Sequence, residues 1–179
     1  MALSATVHNF SIRLADADRG VYEALALKAA RHPSESAEFL VTRVLAYCLE
    51  YVEGIAFSRG LSEPDQPAIS VRDLTGALRA WIEVGTPDAA RLHKAAKAAP
   101  RVAAYSHRGP EPLRRLAGEK IHRAESLELY AIDREFIDTL AQRLERRMDF
   151  DLSVSGHHLY LSLHGETIAG PVDRVLFNA

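Results

Sequence analysis

The chain has 179 residues, of which 47% are hydrophobic, and its formal net charge is −2. This length and composition are enough for one sizeable core, so we expect a single domain over residues 1–179. The amino terminus lacks the basic start and apolar run of a secretory signal, and no apolar run is long enough to cross a bilayer. The one cysteine, Cys48, has no intramolecular disulfide partner. We therefore predict a cytoplasmic protein without a membrane partner.

The basic residues are concentrated in one part of the sequence. Residues 91–123 contain nine basic and two acidic side chains, a balance of +7, which leaves −9 for the remainder of the chain. Such asymmetry is typical of a protein with an anionic partner such as nucleic acid. Basic residues on exposed helix faces are the commoner cause, and the sequence leaves both interpretations open.

The first quarter of the chain predicts one strand and two helices. Residues 10–14 alternate between apolar and polar, which indicates a strand. A turn, ADADRG, precedes a helix predicted from Val21 to Arg31, which ends before Pro33. Ser34 then caps a second helix, whose apolar stripe extends over residues 41–52.

The segments AISVRD and GALRAWIEV predict a β-hairpin that follows a proline-rich loop. With Ile69 opposite Ala80 and Val71 opposite Leu78, the apolar faces of the two strands match.

The remainder of the chain alternates between helices and strands. Thr86 caps a helix with Pro87 at its first position, and this helix extends to about Ala99. The strand RVAAYS, a short helix in EPLRRLAG and the strand LELYAI follow, and then a helix from Asp133 to Arg147 and three strands. The element order predicts an α/β or α+β fold with a mixed β-sheet flanked by helices.

The predicted hairpin brings two acidic residues together. Its register places Gln66 opposite Glu83, and Asp65 lies beside Gln66 at the strand entrance. Two carboxylates in this arrangement suit a hard divalent cation, with Mg²⁺ or Mn²⁺ as the predicted cofactor. The carbonyl of Val84 is the candidate third ligand. The sequence therefore predicts metal ligation by Asp65, Glu83 and Val84.

Three further residues extend this candidate site. Glu38 lies at the border of the apolar stripe of the second helix, where a carboxylate is costly unless it is paired or close to a cation. Arg91 and Lys94 lie on the helix after the hairpin, and Arg91 is the nearer of the two to Glu83. Arginine stabilises phosphoryl charge but is too basic to activate water easily. Gly85 stands where a nuclease-type Glu-x-Lys motif has its lysine.

Several stretches together resemble the YaeQ family of small bacterial proteins: ARHPSESAEFLVTRVLAY, FSRGLSEPDQP and WIEVGTPDAARLHKAA. The resemblance extends over essentially the whole chain. It implies a fold similar to the PD-(D/E)XK restriction-endonuclease-like core, with Asp65 as the loop acid and Glu83 as the strand acid. It also implies that Glu38 matches the acid of the amino-terminal helix, and that Arg91 and Lys94 match basic positions of the later helix. The sequence departs from the superfamily signature at Gly85.

Our leading hypothesis is a metal-dependent nuclease-like protein that acts on nucleic-acid phosphodiesters. Glu38, Asp65, Glu83, Arg91 and Lys94 are its candidate catalytic residues. The alternative is a non-catalytic nucleic-acid-binding or protein-interaction module that retains a degenerate nuclease fold. The candidate nucleic-acid contacts are Arg59, Arg91, Lys94, Lys97, Arg101 and Arg108.

Each acid also has a purely structural interpretation. In this interpretation Glu83 pairs with Arg79 on the same strand face. Asp65 accepts hydrogen bonds from turn amides, and Glu38 bonds to Thr42.

Overall fold

The computed structural model describes residues 4–58 and 65–177. This part of the chain contains ten strands and four α-helices. The strands are β1 (Thr6–Asp16), β2 (Val21–Arg31), β3 (Ile55–Phe57), β4 (Ile69–Arg72), β5 (Leu78–Val84), β6 (Arg101–Ser106), β7 (Glu128–Ile132), β8 (Arg147–Ser155), β9 (His158–Leu163) and β10 (Glu166–Val175). The helices are α1 (Ala37–Leu49), α2 (Ala89–Ala98), α3 (Glu111–Arg114) and α4 (Arg134–Gln142).

All ten strands belong to one mixed sheet with the order β2-β1-β8-β9-β10-β7-β6-β5-β4-β3. The pairs β1–β8, β5–β6 and β6–β7 are parallel, and the other neighbours are antiparallel. The sheet is so strongly curved that it is nearly closed. The fold is therefore mixed α+β, as the sequence predicts in outline.

Helix α1 lies inside this curved sheet. It packs against β2 and β3 at the two ends of the strand order, against β5 and β6 in between, and against α4. Buried side chains occur on every side of the helix, which is typical of a helix without a solvent face. They are Leu40, Val41, Thr42, Arg43, Val44, Leu45, Ala46 and Cys48. The prediction of a sheet flanked by helices is therefore wrong for α1, which the sheet encloses.

The predicted helix from Val21 to Arg31 is wrong, because this segment forms strand β2. It pairs with β1 along its whole length, and alternate residues Leu25, Leu27 and Ala29 are buried. Alanines occupy most of the intervening positions, and their high helix propensity hides the period of two. Pairing with β1 across a short turn outweighs that local preference.

Strands β4 and β5 are antiparallel neighbours, as predicted, but their register differs by two residues. Ile69 lies opposite Ile82 and Val71 opposite Ala80, and a bulge follows Val71. A shift of two residues keeps every side chain on its predicted face, so the apolar pattern alone does not distinguish the two registers.

Three helix limits also differ from the predictions. Ser36, and not Ser34, caps α1 by accepting a hydrogen bond from the backbone N–H of Phe39 at 3.1 Å. Asp88, and not Thr86, caps α2 by accepting a hydrogen bond from the backbone N–H of Arg91 at 2.8 Å. Helix α4 begins after Asp133 as predicted but ends at Gln142, because Arg147 already belongs to β8.

Helix α2 and the short α3 cover the opposite face of β5, β6 and β7. Their contacts form a second apolar cluster, separate from the larger core around α1 and α4. Along β5, alternate residues therefore point to different helices: Ile82 and Val84 join the α1 core, whereas Trp81 joins the α2 cluster. No helix in the described ranges combines the length and the apolar character that a membrane span needs.

A buried ion pair joins the middle of α1 to the segment that precedes the helix, and the same arginine also bonds the end of β2. Arg43 donates from Nε to Oε1 of Glu35 at 2.8 Å and from Nη2 to Oε2 at 3.1 Å, and it also bonds the carbonyl of Ala30 at 2.9 Å. The two side chains are 7% and 0% exposed. Because the pair is bidentate and buried, it holds both the position and the rotation of α1.

Candidate functional site

An open cavity of about 660 Å³ lies at the carboxyl ends of the parallel strands β5 and β6. The loops that leave these strands and the segment that enters α1 form its walls. In open α/β sheets, ligands bind at this end of parallel strands. Side chains that bear on its chemistry are Glu35, Ser36, Phe39, Arg43, Glu83, Arg91, His107 and Arg108.

Glu83 and Glu35 are both buried acids that line this cavity; Glu35 is paired with Arg43, and Glu83 has 4% of its surface exposed. Oε1 of Glu83 accepts a hydrogen bond from the indole Nε1 of Trp81 at 2.5 Å and forms an ion pair with Nε of Arg91 at 2.9 Å. Burial raises the pKa of Glu83, and the bonds from Arg91 and Trp81 offset this rise only in part. The partner of Glu83 is thus Arg91, whereas Arg79 is exposed.

Arg91 connects α2 to the floor of the cavity. Its guanidinium carbon lies 5.7 Å from the centroid of the Trp81 ring, and its Nη2 donates to the backbone carbonyl of Gln66 at 2.8 Å. Together with the Glu83 contact, these bonds orient the guanidinium from three directions. Arg91 is therefore a positioned cation and not a mobile surface side chain.

Asp65 has a different basic partner. Its carboxylate is exposed and forms an ion pair with Lys94, and this hydrogen bond lowers the pKa of Asp65. Both predicted carboxylates therefore pair with side chains of α2, but with different ones: Glu83 with Arg91 and Asp65 with Lys94.

This donor set does not fit a hard divalent cation. The one oxygen of Glu83 that has described partners already accepts from Trp81 and Arg91, and Asp65 is engaged by Lys94. Within residues 4–58 and 65–177, no group of three or more His, Cys, Asp or Glu side chains is placed to hold a metal ion. Ligation by Asp65, Glu83 and Val84 would require both cations to move away.

The backbone at Gly85 favours glycine over any residue with a side chain. Its φ of +98° lies in the region that favours glycine, and a Cβ at this position would come within 2.9 Å of Cε2 of Phe39. Its backbone N–H donates to the carbonyl of Tyr105 at 2.9 Å, which holds the turn against β6. A lysine at residue 85 would thus need both a strained backbone and a displaced Phe39 ring.

Glu38 does not join the pairs formed by Glu83 and Asp65. It is half-buried on α1, and its backbone carbonyl accepts a hydrogen bond from Oγ1 of Thr42 at 2.7 Å. Its carboxylate acts instead on His107, whose pKa it raises electrostatically against larger opposing effects.

Arg101 lies at the start of β6, at the opposite end of the strand from the cavity. It donates from Nη1 to Glu50 and from Nε to Glu128, each at 2.6 Å. Burial alone lowers the pKa of Arg101, but the two carboxylates outweigh this effect and raise it. The structure thus places Arg101 in an ion-pair network that joins the end of α1 to β6 and β7.

The other candidate nucleic-acid contacts are dispersed. Arg108 is exposed at the cavity, directly after β6, and Lys97 is exposed in the last turn of α2. Arg59 lies outside the described residues. Of the candidate contacts, the structure brings Arg91 and Arg108 to one cavity.

His107 is the site residue that the sequence analysis missed. It follows β6, lines the cavity, and meets the Phe39 ring edge-on at 5.8 Å between centroids. Its Nδ1 is buried and has no hydrogen-bond partner among residues 4–58 and 65–177. Its position directly after a buried strand that runs parallel to its neighbour was the one indication of a site residue. A single histidine in a loop carries little information by itself.

Replacement of Gly85 by alanine should destabilise the protein by more than a positive φ alone accounts for. Gly76 has a comparable φ of +85°, but nothing lies within 4 Å of a Cβ there, so Gly76→Ala is the matched control. We expect about 1 kcal/mol for Gly76→Ala and about 1–3 kcal/mol more for Gly85→Ala, because the latter also overpacks Phe39. Urea unfolding measures both values, and equal losses would contradict the packing argument.

Glu83→Gln should change how stability depends on pH. Because folding raises the pKa of Glu83, the native state keeps a proton at pH values where the unfolded chain has lost it. The contribution of this group to the free energy of unfolding therefore falls as the pH rises from the ordinary glutamate range through the raised pKa. The variant's free energy of unfolding minus that of wild type should rise over this interval. Denaturation at a series of pH values measures the difference, and a constant or falling difference would contradict the assignment.

Comparison with known sequences finds a matching family and relatives of the same name. The family described as YaeQ protein matches residues 1–170. Proteins named "Uncharacterized protein YaeQ" from Salmonella typhi and Escherichia coli K12 are 32% and 30% identical over 164 residues, which is 90% of this chain and 91% of each relative.

Two crystal structures share the fold. The YaeQ protein from Xanthomonas axonopodis pv. citri superposes with a TM-score of 0.86 at 28% identity, over 96% of this chain and 98% of that one. The YaeQ protein from Pseudomonas syringae gives a TM-score of 0.83 at 32% identity, over 96% of both chains. The match extends over nearly the whole chain in sequence and in fold, and the chain therefore belongs to the YaeQ family.

Proposed function

We propose that this protein is a non-catalytic nucleic-acid-binding module, related in architecture to PD-(D/E)XK nucleases, whose cavity takes a phosphate group without a metal ion. The observation that carries this proposal is that Glu83 is ion-paired with Arg91 and hydrogen-bonded by the indole of Trp81. The Glu83 oxygen that would bind a metal ion already accepts from these protein donors. The exposed guanidinium of Arg108, beside this pair, is then the positive charge that the cavity presents to an anion.

Three features favour an anion at this position. Arg91 is held in a fixed orientation, and Arg108 is exposed beside it at the cavity. The segment that enters α1 forms another part of the wall, so the positive end of that helix dipole faces the same space. Preoriented cations and a helix amino terminus together are a common arrangement for phosphate binding.

A metal-dependent nuclease is the second candidate function. Glu83 and Asp65 both pair with residues of α2, which favours a common origin with a two-carboxylate site. Under this hypothesis Mg²⁺ or Mn²⁺ displaces Arg91 and Lys94 and binds the two acids, and the freed cations contact the phosphate. The two hypotheses therefore differ in their response to metal.

Binding of fluorescent single-stranded DNA and RNA oligonucleotides, followed by anisotropy over a series of salt concentrations, tests the proposal. We expect binding in EDTA that weakens steeply with salt. Arg108→Gln should lower the affinity and reduce the slope of log K against log salt by about one. Arg115→Gln, which removes an equal charge from an exposed position that does not line the cavity, is the matched control and should have a smaller effect.

The same samples should be analysed for cleavage after addition of Mg²⁺ or Mn²⁺. The proposal predicts intact oligonucleotides. Metal-dependent cleavage that Glu83→Gln abolishes would contradict it and establish the nuclease hypothesis. Absence of binding at low salt would contradict a nucleic-acid partner and leave the protein-interaction alternative.

A further inference from the structure

The backbone after β6 holds the imidazole of His107 in place. Oγ of Ser106 donates to the carbonyl of Gly109 at 2.7 Å and accepts from the N–H of Arg108 at 3.1 Å. Gly109 has a φ of +81°, which closes the turn. On its other side the ring meets the edge of Phe39, whose own position follows from the enclosed helix α1. His107 is therefore a positioned side chain at the cavity wall.

The two ring nitrogens of His107 have different surroundings. Nδ1 is buried and lacks a hydrogen-bond partner among the described residues. The side chain as a whole is only partly buried and lines the cavity. Since Nδ1 is buried, Nε2 is the ring nitrogen that can contact a ligand in the cavity.

This asymmetry determines the favoured protonation state. A proton on Nδ1 would be a buried donor without an acceptor, so the neutral ring keeps its proton on Nε2. A charged imidazole carries a proton on both nitrogens, so it has the same free-energy cost of a buried donor without an acceptor. Accordingly, burial lowers the pKa of His107, and the positive charges of Arg108 and of Arg134 on α4 lower it further. Glu38 on α1 and Asp138 on α4 oppose this shift without reversing it.

We infer that His107 is a neutral hydrogen-bond donor of the anion site, and that its Nε2–H contacts the bound oxyanion beside Arg108. This inference rests on the proposed function, because it assigns a ligand-binding role within the same cavity. The ligand group is then one that offers only acceptors, such as a fully ionised phosphate or sulfate. Its binding takes up no proton at His107.

Two substitutions separate a neutral donor from a charged one. Glutamine carries an amide N–H at about the reach of Nε2 and never ionises, whereas leucine removes the donor at similar volume. The probe is inorganic sulfate, which stays doubly ionised over the pH range of histidine titration. Titration at constant ionic strength at pH 7.5, followed by NMR of protein labelled with ¹⁵N at histidine, gives both the affinity and the tautomer.

His93 is an internal reference for this experiment, because its Nδ1 accepts a hydrogen bond from the backbone N–H of His122 at 2.9 Å and so fixes the Nε2–H tautomer. We expect His107 to show the same tautomer, both without sulfate and at saturation, and its Nε2–H resonance to shift as sulfate binds. Affinity should stay within about twofold in His107→Gln and fall about tenfold or more in His107→Leu, as expected for a lost hydrogen bond to a charged group.

Several results would overturn the inference. They are an Nδ1–H tautomer, a change to the doubly protonated ring on binding, or a loss in His107→Gln as large as that in His107→Leu. Sulfate binding that depends on Arg108 but not on His107 would overturn this inference and leave the proposed function intact. No sulfate binding by wild type, together with no oligonucleotide binding, would reject both.

Discussion

One constraint determines most of this structure: a ten-stranded sheet encloses a helix that has no solvent face. Because α1 touches β2 and β3 at the two ends of the strand order as well as β5 and β6 between them, it cannot move along one strand without losing contacts to another. The buried pair of Arg43 and Glu35 adds a specific rotation. That rotation places Phe39 against Gly85, and so one wall of the cavity is determined by the core itself.

The packing of α2 on the other face of β5 accounts for the buried acid. Glu83 lies on the face of β5 that meets α2, where burial raises its pKa and where Trp81 and Arg91 provide the compensating donors. A carboxylate that is hydrogen-bonded in this way is an anchor for the guanidinium of Arg91. Its role in the site is then to orient a cation towards the cavity. An acid of this kind acts as a positioning residue, because its partners fix where the guanidinium lies.

The sequence predicts the part of the fold that depends on strong local patterns. Alternation in β5 and the cap at Asp133 are visible in the sequence, and both elements are present. Strand β2 was missed because its exposed alanines favour a helix, and only its pairing with β1 reveals the period of two. The pairing of Glu83 with Arg91 and the role of His107 depend on how α1 and α2 dock, which is long-range information. The close approach of Phe39 to Gly85 has the same origin, so the sequence shows a glycine at residue 85 but not the packing that favours it.

The central claim is that protein side chains, and not a metal ion, compensate Glu83. The most direct test is the melting temperature of the wild-type protein in EDTA and over a series of Mg²⁺ or Mn²⁺ concentrations at constant ionic strength. A ligand that binds the native state but not the unfolded chain raises the melting temperature with its concentration. Our account predicts no rise beyond that shown by the Glu83→Gln variant at the same concentrations. A saturable rise specific to Mg²⁺ or Mn²⁺ that is lost in Glu83→Gln would contradict it.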